Sequence, residues 1–130
     1  MRIAAIGRLL TQFLGINNTG MSDWIAQRLS GLVIGAYTLF LVGWLILVPN
    51  VTFENWQALF SNVGMQIFTL LCLLALCLHS WIGMWTIGTD YLRPHTAGRH
   101  ADSLRSVFNF MICGFLLIYL FWGLWILWGN

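Results

Sequence analysis

Three long apolar runs, about 29–48, 65–88 and 107–128, decide what this chain can become. Each approaches or exceeds the roughly 20 residues that carry an α-helix across a hydrocarbon core. Inside that core no water satisfies backbone N–H and C=O groups, so each run must close its own hydrogen bonds as a helix. The sequence therefore predicts an all-α membrane protein with three transmembrane helices. Composition agrees: of 130 residues 59% are hydrophobic and 8% charged, and eight are Trp. That balance is foreign to a soluble domain of this length. Residues 22–130 read as one membrane anchor domain, with no room for a soluble catalytic domain.

The charges sort by side. Arg2, Arg8 and Arg28 precede the first run, and Arg93, Arg99 and Arg105 lie between the second and third. The connection between the first and second runs carries only Glu54, and Gly129-Asn130 follows the third. The positive-inside rule then puts the N-terminus inside and the C-terminus outside. The small basic excess is accounted for by topology, so it implies no nucleic-acid partner. Residues 1–21 form an N-terminal extension. Ile3, Ile6, Leu10, Phe13 and Leu14 recur at roughly helical spacing around Arg2 and Arg8, which predicts an interfacial helix. Arg8, Thr11 and Gln12 interrupt the apolar character, which argues against a signal peptide.

Polar groups inside a span need partners, and they mark function by default. His79 is the imidazole at membrane depth, in a run otherwise ionisable only at Cys72 and Cys77. Ala75 lies one turn before it, Gly83 one turn after and Cys72 two turns before, since positions three, four and seven apart share a helix face. This stripe of small residues clears space either for a flat macrocycle bound edge-on or for close packing of another helix. Imidazole is a good haem ligand. If the iron takes two axial imidazoles, the second must come from another polypeptide, because His95 and His100 lie past the helix end and Met84 points from a different face. The three Cys read as small hydrophobes, with no C-x-x-C pair.

The other candidates lie toward the inner side. Arg28 opens the first run and shares a face with Gly31 and Gly35, a G-x-x-x-G pair. That face suits either helix dimerisation or a cofactor groove whose mouth holds an arginine fork for an anionic group. The second run ends in Thr89-Asp90-Tyr91-Leu92-Arg93-Pro94, and Pro94 cannot continue the helix. Tyr91 reads either as an interfacial belt residue or as a phenol that donates to a lipid-soluble ligand. Trp81 and Trp85 stand roughly opposite His79 and are expected to face lipid or another subunit. Trp24, Trp44, Trp56, Trp125 and Trp128 fall near span ends, as an aromatic belt places them. His95, His100 and Asp102 read as a solvated loop.

The segment His79-Ser-Trp-Ile-Gly-Met-Trp-Thr-Ile-Gly-Thr-Asp-Tyr-Leu-Arg-Pro94 closely resembles the H-x-W-I-G-M-W-x-x-x-T-D-Y-x-[KR]-P stretch of the hydrophobic membrane anchor subunits of bacterial succinate dehydrogenase. Asp23 and Arg28 match the D-x-x-x-x-R that opens the family's first span. The resemblance covers about residues 22–130, and its central motif is long and specific. It implies a multi-pass subunit of complex II in the bacterial inner membrane, serving the tricarboxylic acid cycle and electron transport. Its partners would be a flavoprotein subunit, an iron–sulfur subunit and a second cytochrome b subunit. His79 would be an axial ligand of haem b, with a His of the companion cytochrome as the other. Arg28 would pair with a haem propionate. Tyr91 would hydrogen-bond a carbonyl oxygen of ubiquinone, and Asp90 would support that site by orienting a neighbouring Arg or Tyr91 itself. Ser22 departs from the pattern, where a family member can carry a His near the propionates. Two other readings compete: a small proton-coupled transporter relaying through His79, and a structural anchor with neither haem nor quinone. Fumarate reductase anchors share the architecture.

Overall fold

The computed structural model describes residues 20–129. Every regular element among them is helical: α1 (Gly20–Leu47), α2 (Phe53–Ser61), α3 (Val63–Tyr91), α4 (Pro94–Ala97), a 3₁₀ turn (Gly98–His100) and α5 (Ala101–Trp128). Three helices are long and apolar enough to cross a membrane, with α4 and the 3₁₀ turn leading into the third. The expected interfacial helix falls on residues outside those described, apart from Gly20 and Met21, which begin α1. Each long helix starts before its apolar run, so the first turns of α1 and α5 carry the polar residues of the arginine-rich end.

Local chemistry sets the breaks. Pro49 follows α1, and Asn50 takes a left-handed φ of 58°, a conformation Asn tolerates better than most residues. The connection that follows is not bare loop. Thr52 caps the nine-residue α2 by accepting from the Asn55 N–H at 3.3 Å. Asn62 then caps α3 by accepting from the N–H groups of Gly64 at 2.9 Å and Met65 at 3.3 Å. Pro94 occupies the first turn of α4, where a missing N–H costs nothing. Gly98, at φ 63°, makes the turn toward α5.

The spine of the fold is α3, with α1 packed along one side and α5 along another. The two seams differ in chemistry. The α1–α3 seam is polar at intervals: the Tyr37 hydroxyl donates to Thr69 Oγ1 at 2.9 Å, and Thr69 donates onward to the carbonyl of Met65 at 2.8 Å. The α3–α5 seam is apolar between hydrogen bonds at its two ends and places glycines at its closest approaches. A Cβ on Gly88 would stand 3.0 Å from the Phe108 ring, and one on Gly123 would stand 3.0 Å from Leu73. Such approaches are how membrane helices gain dispersion contact without a hydrophobic drive. Arg105 ties the arginine end of this seam by donating from Nη2 to the carbonyl of Leu92 at 2.9 Å. At the far end the Trp128 indole donates to Gln66 Oε1 at 3.2 Å. Thr38 and Thr86 return their hydroxyls to the carbonyls one turn back, which leaves neither donor bare in hydrocarbon.

Very little of the chain is interior. Among the described residues the buried apolar side chains are Met65, Ile82, Ala101 and Ile112, while Phe110, Leu47, Ile46 and Leu39 stand three-quarters or more exposed. A surface of that kind needs lipid or partner helices around it.

Candidate functional site

His79 lies half-buried on α3, and α1 supplies its surroundings. Its Nδ1 stands 3.1 Å from the backbone carbonyl of Gln27 and 3.2 Å from Ser30 Oγ. Its Nε2 stands 3.3 Å from the Gln27 side-chain nitrogen. Ser30 is the buried polar side chain among the described residues, at 4% exposure. It donates its own hydroxyl proton to the Gln27 carbonyl at 3.0 Å. With that proton committed, Ser30 offers His79 a lone pair. Both groups facing Nδ1 are acceptors, which places the imidazole proton on Nδ1 and the lone pair on Nε2. The Gln27 amide N–H donates to that lone pair, and Gln27 Oε1 is left buried with no partner.

Two glycines border this contact, and a Cβ at either would make only ordinary van der Waals contact. A Cβ on Gly31 would stand 3.6 Å from His79 Cε1 and 3.8 Å from Nδ1, and one on Gly83 would stand 3.5 Å from the Gln27 amide nitrogen. The small-residue stripe on α3 faces α1 at His79, with Gly83 beside Gln27. Gly35, the other half of the G-x-x-x-G pair, has open space at its Cβ position, so only Gly31 borders another helix within the chain.

The other candidates are arranged toward the same end. Arg28 stands outside the seam, its guanidinium 3.6 Å above the Trp24 ring, and makes no ion pair among the described residues. Asp90 pairs with Arg93 at 2.9 Å, and Arg93 also donates from Nε to the Thr89 carbonyl at 3.3 Å. Tyr91 ends α3 and is 70% exposed. The ion pair and the phenol are both exposed at the end of α3. The structure brings His79 together with Gln27 and Ser30, and sets Arg28, Asp90 and Tyr91 as separate surface features.

Trp81, with Leu78 and Cys77, borders an open groove whose far wall is Cys113, Leu116 and Leu117 of α5. Cys113 is exposed, unlike the half-buried Cys72 and Cys77. His95, His100 and Asp102 are exposed, as a solvated loop should be. Gln27 and Ser30 are the site residues that sequence reasoning missed. Their signal was two hydrogen-bonding side chains flanking Arg28 at the mouth of an apolar run, three residues apart and hence on one face.

Comparison with known proteins agrees with this architecture. The family described as the succinate dehydrogenase/fumarate reductase transmembrane subunit matches residues 8–118. A succinate dehydrogenase hydrophobic membrane anchor subunit from Coxiella burnetii (strain RSA 493 / Nine Mile phase I) is 35% identical over 109 residues, covering 84% of this chain and 89% of that relative. With three membrane-length helices and a match over most of its length, the chain belongs to the family of succinate dehydrogenase/fumarate reductase transmembrane subunits.

Proposed function

We propose that this chain is the membrane anchor subunit of a bacterial succinate:ubiquinone oxidoreductase, shares a haem b with a companion cytochrome b subunit, and helps to build the ubiquinone site. The supporting observation is the state of His79. Its Nδ1–H is held by two acceptors on α1, and its Nε2 lone pair is covered only by a side-chain amide that leaves its own oxygen unpaired. An axial imidazole needs that tautomer, fixed by a hydrogen bond at the nitrogen away from the iron. The residues present therefore fit a haem ligand. The group, when bound, would supply a one-electron store. If the iron takes two imidazole ligands, the second would come from the companion subunit, since His79 is the one His in the apolar runs of this chain.

The chain's own residues have separable roles. His79 orients the iron site from α3. Arg28, charged and free of an ion pair among the described residues, suits a propionate carboxylate at the mouth of α1. Tyr91 presents a phenol O–H at the membrane surface, where it donates to a quinone carbonyl oxygen and holds the ring in register. Asp90 fixes Arg93 beside it, which keeps a cation near the oxygens that gain charge on reduction. Succinate is oxidised on the flavoprotein subunit, and electrons reach the quinone through the iron–sulfur subunit. The N-terminus lies inside, in line with the arginines, so Arg28, Asp90 and Tyr91 meet the soluble subunits.

The test is a reduced-minus-oxidised spectrum of the complex co-purified through this chain, wild type against His79→Ala. We expect the b-type signal in wild type, with the flavoprotein, iron–sulfur and cytochrome subunits present, and its loss in the variant. A wild-type complex without b-type absorption, or a lone protomer, would refute this function.

A further inference from the structure

Resting on the haem function above, we propose that α1 tunes the iron through Ser30: the buried Ser30 hydroxyl and the Gln27 carbonyl together make Ser30 a positioning residue for His79. A count of protons leads there. Ser30 donates to the Gln27 carbonyl at 3.0 Å, so its lone pair faces His79 Nδ1 at 3.2 Å, while the same carbonyl faces Nδ1 at 3.1 Å. One N–H thus meets two acceptors, and neither has a proton to return. The alternative tautomer would set the Nδ1 lone pair against that carbonyl, whose oxygen can only repel it. It would also set an Nε2–H against the amide N–H of Gln27 at 3.3 Å. Rotating the Gln27 amide relieves the second conflict but not the first, because a backbone carbonyl cannot turn. Ser30 is fixed in place by its burial and by its own backbone hydrogen bond, so it cannot easily swing away.

The consequence is electronic. Withdrawing the Nδ1 proton toward two oxygens raises electron density on the ring and strengthens Nε2 as a donor to iron. A stronger donor favours the ferric state and lowers the potential of the haem. The Gln27 amide plays the complementary part. It covers the Nε2 lone pair at 3.3 Å, and its own Oε1 is buried without a partner. Ser30, on Nδ1, would keep its contact in a haem-bound chain, and Nε2, now covered by the Gln27 amide, would be the nitrogen offered to the iron.

The experiment is a redox titration and low-temperature EPR of the haem in the purified complex carrying Ser30→Ala, Ser30→Cys or Ser30→Thr. Ser30→Ala removes one acceptor, and we expect a more positive midpoint potential with low-spin g values moved from wild type. Ser30→Thr keeps the hydroxyl, and we expect it to retain both wild-type values. If Ser30→Ala does not assemble, Ser30→Cys decides the matter, since a thiol is a poorer acceptor and should shift the potential in the same direction. An unchanged potential and unchanged g values in Ser30→Ala, or in Ser30→Cys where Ala does not assemble, overturn the inference while leaving the haem function intact. A wild-type complex with no b-type haem overturns both.

Discussion

Gly88→Ala should destabilise the α3–α5 seam, and the size of the effect follows from one contact. A Cβ at Gly88 would lie 3.0 Å and 3.1 Å from two carbons of the Phe108 ring, with Asn109 Oδ1 at 3.7 Å. Carbon pairs rest best about 3.5–4.0 Å apart, so the ring must retreat by roughly 0.5 Å. Forcing a methyl into a packed contact of this kind costs about 1–3 kcal/mol. Alanine's better helix propensity returns about 1 kcal/mol, which leaves a net loss of about 0–2 kcal/mol. Gly31→Ala is the matched comparison, because its Cβ would sit at an ordinary 3.6 Å from His79 and only the propensity gain remains. The assay is thermal unfolding of the detergent-purified complex for Gly88→Ala, Phe108→Leu, the double variant and Gly31→Ala. The double variant should recover stability beyond the sum of its parts by about 0.5–3 kcal/mol, the range for residues in contact. Equal melting of Gly88→Ala and Gly31→Ala, or strict additivity with Phe108→Leu, would refute the seam as described.

Arg105→Met should cost about 1.5–3 kcal/mol, the range for a hydrogen bond from a charged group, because it deletes the donor to the Leu92 carbonyl. Its 3.8 Å ion pair with the exposed Asp102 adds little, so Asp102→Asn should melt as wild type does. Tyr91→Phe should lower quinone reductase activity and raise the apparent KM for ubiquinone, with succinate oxidation by an artificial acceptor unchanged; unaltered quinone kinetics would make Tyr91 a belt residue only. Glu54 gives a pH dependence outside the spans. Its own backbone N–H at the start of α2, and then the Thr52 hydroxyl, hold its carboxyl below the ordinary range. The folded pKa is depressed, so the stabilisation is present above the ordinary carboxylate range and fades as pH falls through the lowered value. Glu54→Gln should flatten that acid limb in a Trp fluorescence titration of the complex.

What was legible in the sequence follows from which interactions are local. The three helices were readable because a 20-residue apolar run has one solution in hydrocarbon. His79 was readable because a polar group in such a run stands out. The partners of His79 were not, because they depend on how α1 is rotated against α3, and helical periodicity does not fix that angle between two chain segments. Ser30 and Gln27 lie on the α1 face that meets His79, yet the basic Arg28 beside them pointed instead to a charged groove mouth. The α2 helix was hidden for a different reason. Thr52 as a cap and Phe53, Trp56 and Phe60 at helical spacing were in view, but nine residues between two spans read equally as a loop. Trp81, roughly opposite His79, lines an open groove beside α5, a neighbourhood that helical periodicity alone does not give because it depends on where the second helix packs on α3.

The division of α3 between a polar seam and an apolar one gives this small subunit two independent registers for change. Substitutions on α1 that alter the hydroxyl and amide pattern around His79 need not disturb how α5 nests into Gly88 and Gly123. The converse holds for repacking on α5. A lineage adapting this anchor to a different membrane thickness or temperature can therefore rework the glycine–aromatic joint while the electronic setting at His79 is inherited unchanged, and a designer can swap α5 between relatives without retuning the other edge.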